Sequence, residues 1–311
     1  MKKLTFFGYT KTGDKMIVRL GYVALPLTIG ITSSSTVTVT NYNKLGLRAL
    51  KKIDETINKN LDNLYEILKY NQKNNIHFYR LTSKLIPLAT FINFDYLKKF
   101  KKKYRKISKL INLNNMRVDL HPDQFIVLNS DKESVVSASI DALRYHANIL
   151  RILGIENPII ILHLGSSVGG KKKSIERFKN NFYKLDENIQ KMISLENDDK
   201  VYNTRNILKV CKELDIPFTF DYHHYKCNNS GEKLENYIDD IFYTWIKRGM
   251  RPKIHFSSPK SKQKKEFRSH NDYIDSSEFI KFIEKVKNIK YDFDIMIEAK
   301  KKDEALFKLI R

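Results

Sequence analysis

Pro158-Ile159-Ile160-Ile161-Leu162-His163-Leu164-Gly165 reads as a strand that is apolar on both faces until it reaches a histidine. A strand with one wet face alternates, whereas a continuous β-branched run belongs to a parallel sheet covered by helices. Phe218-Thr219-Phe220 repeats the pattern, and Pro158, Pro217 and Pro252 each stand at a strand start, where a missing N–H is tolerated. Working outward, strands are predicted near 17–23, 76–81, 116–121, 158–164, 191–196, 216–221, 252–257 and 292–298. Helical patterns lie between them near 44–73, 94–112, 133–154, 173–190, 202–214, 233–247 and 277–288, with a last one after 302. In the first helix Leu50, Ile53, Ile57, Leu61, Leu64 and Leu68 make one apolar stripe. Eight β units, each followed by a helix, predict an α/β fold, a closed TIM-type (β/α)8 barrel. A doubly wound open sheet is the alternative, but it would place a glycine-rich phosphate turn after the first strand, and none is there. No linker marks a second domain, so residues 1–311 are expected to form a single catalytic barrel domain with a short N-terminal extension, 1–15.

The charge balance points to the partner. Lys and Arg number 57 against 35 Asp and Glu, a formal net charge of +22. Such an excess favours polyanions, nucleic acid before anionic membrane. Compositional drift toward lysine explains part of the basic count but not the shortage of acids. Cys211 and Cys227 form no Cys-x-x-Cys pair, so a zinc ribbon or redox motif is excluded and reduced thiols in a cytoplasmic protein are expected. The apolar start soon meets Lys11, and the stretch 20–40 is broken by Pro26 and Gly30, so neither a signal peptide nor a membrane span is predicted. No exposed apolar repeat suggests a protein partner, and a monomer is expected.

In such barrels the reactive residues sit at the C-terminal ends of the strands. The third strand ends in Asp119-Leu120-His121, the fourth in Leu162-His163 and the fifth in Leu195-Glu196-Asn197. The sixth ends in Asp221-Tyr222-His223-His224, and the eighth in Ile297-Glu298. The seventh carries Lys253-Ile254-His255, with His270 in the loop beyond. A lone histidine or carboxylate at a strand end is more often a hydrogen-bonded core residue or a cap than a ligand. Together, at successive strand ends, they place buried carboxylates and imidazoles on one rim, a cost that bound cations resolve. His121, His163, Glu196, Asp221, His224, His255, His270 and Glu298 are therefore the candidate metal ligands, too many for one ion. Two or three divalent metals would share them, with Glu196 and Glu298 placed to bridge and to act in catalysis. Mixed imidazole and carboxylate donors suit Mn²⁺ or Zn²⁺ better than Mg²⁺. Such a set fits in-line displacement at phosphorus. His77, His146 and His223 read as structural.

Three basic runs accompany these residues. Residues 98–106 belong to a helix and read as a solvated face. Lys171, Lys172 and Lys173 follow Gly169-Gly170 after the fourth strand, and residues 260–268 follow the seventh, so both runs lie on the rim of the proposed metals. Surface solubility would explain either run alone. Around a phosphodiesterase-like centre they read as a phosphate-backbone footprint.

At these residues the sequence resembles the UV damage endonuclease (UVDE) family. The likeness is carried by Arg19-Leu20-Gly21-Tyr22, Phe78-Tyr79-Arg80-Leu81-Thr82-Ser83, Leu120-His121-Pro122-Asp123-Gln124-Phe125 and Leu162-His163-Leu164-Gly165. It continues in Leu195-Glu196-Asn197-Asp198, Asp221-Tyr222-His223-His224, Lys253-Ile254-His255-Phe256 and Ile297-Glu298-Ala299-Lys300. The resemblance implies a metal-dependent DNA-repair endonuclease, usually described with Mn²⁺, that incises damaged duplex DNA 5′ of cyclobutane pyrimidine dimers and 6-4 photoproducts. It also implies that Lys253 stands beside the metals, in a position that can carry a carboxylate modification. By the same likeness, Gln124-Phe125 would enter the duplex at the lesion, with Phe125 where the family has tyrosine, and Tyr22 would approach the damaged strand. Two positions depart from the family: Phe91 replaces a histidine, and Pro26 stands near an expected asparagine.

Other functions fit parts of the pattern. An abasic-site endonuclease of the endonuclease IV type would share barrel and ligands. A metal-dependent sugar isomerase would also use Glu, Asp and His at strand ends, but the +22 charge suits a small neutral substrate poorly. A non-catalytic lesion-binding protein would need the basic rim and the wedge, and not the ligands.

Overall fold

The computed structural model describes residues 5–9, 15–92, 95–289 and 291–310. Its strands are β1 (Thr5–Tyr9), β2 (Lys15–Val23), β3 (Phe78–Leu81), β4 (Arg117–Leu120), β5 (Ile160–His163), β6 (Ile193–Glu196), β7 (Phe218–Asp221), β8 (Lys253–Phe256) and β9 (Phe293–Ile297). Strands β2 to β9 pair in parallel with their sequence neighbours. Parallel pairing of β2 with β9, from Val18↔Phe293 to Tyr22↔Ile297, closes the eight-stranded barrel. The N-terminal extension contributes β1, which pairs antiparallel with β2 from Thr5↔Arg19 to Tyr9↔Lys15.

Helices cover the outside: α1 (Val39–Leu45), α2 (Ala49–Lys73), α3 (Tyr96–Lys99), α4 (Lys101–Leu113), α5 (Glu133–Ile152) and α6 (Lys171–Phe182). The rest are α7 (Glu187–Gln190), α8 (Thr204–Leu214), α9 (Tyr222–Cys227), α10 (Ile238–Ile246), α11 (Ser276–Val286) and α12 (Lys302–Leu309). Four helices read from sequence as continuous are interrupted; the pattern 233–247 opens with a 3-10 turn, Leu234–Asn236, before α10. The pattern 44–73 breaks at Gly46, whose φ of 51° lies in the left-handed region that glycine adopts at little cost. The pattern 94–112 breaks at Phe100, which ends α3 and begins α4, and 173–190 divides into α6 and α7. The sequence reading did not foresee α9, a single short helix directly after β7. No helix among the described residues is long and apolar enough to cross a membrane.

Strand alternation decides what enters the barrel. On β2, Leu20 and Tyr22 are buried against the helices; Tyr22 Oη donates to Asn71 Oδ1 on α2 at 2.7 Å. Arg19 and Gly21 take the opposite face. A Cβ at Gly21 would fall 2.4 Å from the Phe78 carbonyl oxygen and 2.7 Å from its ring, so glycine is what admits that ring. Side chains of non-adjacent strands meet in the interior, as Lys253 of β8 and Asp119 of β4 show. At the base, fully buried Asp294 accepts from Arg19 Nε and Nη2 at 2.7 and 2.8 Å and from Arg117 Nη1 at 2.8 Å. Arg251 Nε lies 2.9 Å from the same carboxylate.

Burial alone would raise the Asp294 pKa, but Arg19, Arg117 and Arg251 outweigh it and hold the group below the ordinary carboxylate range. Its stabilisation is therefore fully present above about pH 4, the unfolded value, and is lost as pH falls through the lowered folded value. Asp294→Asn leaves the guanidinium groups without their central anion and is expected to cost about 3–5 kcal/mol. The urea midpoint reads this directly, and a variant as stable as the parent would show that the arginines need no buried counter-charge.

Candidate metal centre

Each strand end delivers one polar group to the same mouth. His163 and Glu196 are the last residues of β5 and β6, Asp221 is the last of β7, and His121 and Glu298 follow β4 and β9 directly. His255 comes from β8 and His224 from the first turn of α9. Asp221 is the N-cap of α9, its Oδ1 accepting from His224 N at 2.6 Å, so one aspartate both shapes the helix and sets the histidine beside it.

Glu196, 1% exposed, is the hub. Its Oε2 lies 2.9 Å from His121 Nε2 and 3.9 Å from His163 Nε2. Its Oε1 lies 3.1 Å from His255 Nδ1 and 3.3 Å from His224 Nδ1. His255 Nδ1 is also 3.2 Å from Glu298 Oε1. Three sets of potential ligand atoms lie within 4.8 Å of one another: His121/His163/Glu196, Glu196/Asp221/His224 and Asp221/His255/Glu298. They are linked, because Glu196 belongs to the first two and Asp221 to the last two.

Unpaired buried atoms test whether the set suits cations. Asp221 Oδ2 is buried with no hydrogen-bond partner, an expensive condition for an acceptor that a cation relieves. Asp221 is pushed up to about 8, first by burial and then by Glu196 and Glu298 despite His224. Burial also raises Glu196, but His255, His163, His121 and His224 together hold it well below the usual range. Burial pushes His255 down to about 4, which keeps the imidazole neutral. Three carboxylates among four imidazoles match the borderline donors that divalent transition ions prefer.

Two groups the sequence reading passed over stand at the centre. Arg80, at 6% exposure, donates from Nη1 to Glu298 Oε1 and from Nη2 to His255 Nε2, each at 2.5 Å. Asn197, fully buried, accepts from Asp221 N at 2.8 Å and donates to Asp221 O at 2.9 Å, pinning the end of β7. Both lay inside recognised motifs, and position at a strand end was the signal that could have marked them. Lys253 is 1% exposed and donates to Asp119 Oδ2 at 2.6 Å. Burial, with Arg117 and Arg80 nearby, lowers it to about 7 against the pull of Asp119.

The other candidates fall further out. His270 belongs to none of the three ligand sets; its ring centroid is 6.3 Å from that of His224 and 5.5 Å from that of His223. Gln124 and Phe125 follow His121 on an exposed loop, Phe125 at 78%. Gln124, His121 and His163 help to line a cavity of about 370 Å³. Lys171, Lys172 and Lys173 are exposed in the first turn of α6. Tyr22 corrects the sequence reading: it is fully buried between β2 and α2 and offers no surface to a nucleic acid. Phe91, at the departure noted above, is exposed and meets Tyr42 edge-on at 6.0 Å. His77 and His146 accept structural roles, each bonded through Nδ1 to a backbone carbonyl, of Asn114 and Ala142.

Comparison with known proteins agrees with this geometry. The family model described as UV-endonuclease UvdE matches residues 18–311. A UV DNA damage endonuclease of Bacillus cereus (strain B4264) is 43% identical over 301 residues, covering 95% of this chain and 94% of its own. The crystal structure of SacUVDE superposes with a TM-score of 0.83 at 33% identity, over 94% of this chain and 96% of that one. Endonuclease IV from Thermus thermophilus, at 11% identity and a TM-score of 0.56 over 80% of this chain and 93% of its own, shares the fold. A closed parallel barrel with His, Asp and Glu gathered at its mouth, matched to that family along nearly its whole length, makes this chain a member of the UV-endonuclease UvdE family, a nuclease acting on damaged DNA.

Proposed function

We propose that the protein hydrolyses the phosphodiester bond 5′ of ultraviolet photolesions, cyclobutane pyrimidine dimers and 6-4 photoproducts, in duplex DNA, with two or three divalent cations of which Mn²⁺ is favoured. The observation that carries the reading is the linkage of three ligand sets through Glu196 and Asp221. His121 and His163 with Glu196 would hold one ion, Asp221 and His224 with Glu196 a second, and His255 and Glu298 with Asp221 a third. His270 would complete the set from the rim loop. Such ions, when bound, supply an activated water and charge for the leaving oxygen. Arg80 holds Glu298 and His255 in place, and Asn197 holds Asp221. Lys253, drawn toward neutrality by burial, is placed to position Asp119 or to accept a carboxylate modification.

Exposed Phe125 with Gln124 supports a wedge that opens the stack at a distorted step. Lys171, Lys172 and Lys173 support backbone contacts beside it. The net charge of +22 favours DNA over a neutral sugar. We propose that the chain works as a cytoplasmic monomer and as a single domain.

A duplex carrying one thymine dimer is expected to be nicked just 5′ of the dimer with Mn²⁺ and left intact with EDTA. Cutting that survives EDTA overturns the metal reading, and preference for an abasic site over the dimer moves the activity to the endonuclease IV type. Glu196→Gln removes the hub charge and is expected to slow incision by more than about 100-fold while duplex binding persists; equal cutting would strip Glu196 of its role. Phe125→Ala is expected to weaken binding to the lesion duplex by about 1–3 kcal/mol in a titration, with binding to undamaged duplex little changed. An equal loss on both duplexes would count against the wedge.

A further inference from the structure

A second cavity, of about 550 Å³, lies beside the metal centre between α9, the start of α11 and the loop after β8. The short helix α9 separates the two. Tyr222 and Lys226, four residues apart, share one face and line the cavity, whereas His224, two residues on, is turned toward Glu196. The loop after β8 is closed by an antiparallel bridge between Pro259 and His270 and by Lys260 N donating to Ser269 O at 2.7 Å. Its Phe267 ring reaches the cavity wall, 5.9 Å from the His223 ring.

The cavity is basic beyond what its own acids balance. Lys226, Lys260, Lys262, Lys281 and Lys285 face two carboxylates, and both carboxylates are already engaged. Asp275 caps α11, accepting from Ser277 N at 2.9 Å and Glu278 N at 3.1 Å. Glu278 accepts from Lys226 and from Ser258 Oγ, the latter at 2.8 Å. Lys260 pairs with Glu266, and Lys285 lies 3.4 Å from Glu235. Lys262 and Lys281 remain, exposed and with no ion-pair or hydrogen-bond partner among the described residues. Lys281 is close enough to Asp275 to help hold it ionised, and Lys226 lies 5.2 Å from the Tyr222 ring and 6.0 Å from the Phe267 ring. Ammonium groups beside aromatic rings are what a nucleotide engages, phosphate on lysine and base on ring. The cavity volume falls in the range of small-ligand sites.

We propose that this cavity is a nucleotide subsite for the DNA strand running past the cut, with a backbone phosphate on Lys262 and Lys281 and a base against Phe267. The assignment rests on the nuclease reading above and adds a place on the protein where the flanking strand is held. It explains why the loop after β8 is basic on its outer side while His270 closes its base beside α9.

The test is equilibrium binding of an undamaged oligonucleotide to the full-length protein across a potassium chloride series. The double charge reversal Lys262→Glu with Lys281→Glu is expected to reduce the slope of log affinity against log salt by about one or two, whereas Lys209→Glu on the outer face of α8 leaves that slope as it was. An oligonucleotide carrying 5-iodouracil, irradiated and mapped by mass spectrometry, is expected to crosslink to Phe267 in the parent and to lose that crosslink in Phe267→Leu. An unchanged slope in the double variant, or crosslinks confined to the rim of α6, overturns the subsite while leaving the nuclease reading intact. A parent protein that binds no DNA at any salt overturns both.

Discussion

Charge inside a barrel has to be answered inside the barrel, and Glu196 is where this constraint is sharpest. Its carboxylate is almost fully buried and is kept ionised by four imidazoles within 4 Å. The same rule governs the column beneath it. Asp119 is answered by Lys253, and Asp294 by three arginines. Each level uses residues from strands on different sides of the barrel, so the pairs also act as ties across it. Breaking one would leave a charge in a medium that solvates it poorly. The hydrophobic shell between strands and helices sets the fold class, whereas this polar column sets which atoms reach the mouth.

Arg80 belongs to the column and to the centre at once. Its guanidinium can only donate, so His255 Nε2 is the acceptor in that contact. With Nε2 accepting, the neutral ring carries its proton on Nδ1, which faces Glu196 and Glu298, so His255 would ligate a cation through Nδ1 only once that proton has left. A lysine would offer a point charge to one partner at a time, but the planar fork reaches Glu298 and His255 together.

Much of this was legible before any coordinates. The eight strands lie within two residues of where β-branched runs placed them, and seven of the eight proposed ligands meet in linked sets. What escaped has physical causes. Tyr22 was expected near the damaged strand by resemblance, yet alternation along β2 fixes its face: Gly21 must point inward to admit Phe78, so Tyr22 points out toward α2. The helix α9 is too short to show a period, and only the aspartate cap at its start announces it. Arg80 lay unremarked in a strand end because arginine there reads as an ion-pair partner. Its role depends on distances to Glu298 and His255, which sequence separation of 218 and 175 residues conceals.

Asp221 shows how so few residues serve several ends. Its two oxygens divide the work. Oδ1 is committed to the backbone N–H of His224, which starts α9, while Oδ2 is buried without a partner, and the residue belongs to two of the ligand sets. Burial and the neighbouring carboxylates raise its proton affinity, so the form that ligates is the costly one unless positive charge is at hand. The capping bond is what fixes α9, and α9 in turn presents His224 on one face and Tyr222 with Lys226 on the other. The carboxylate that would share in holding a cation is thus also the one that caps the helix forming a wall of the adjoining basic cavity. A substitution that preserves the cap but removes the charge separates the two, because the helix depends on Oδ1 as an acceptor and the centre depends on the whole anion.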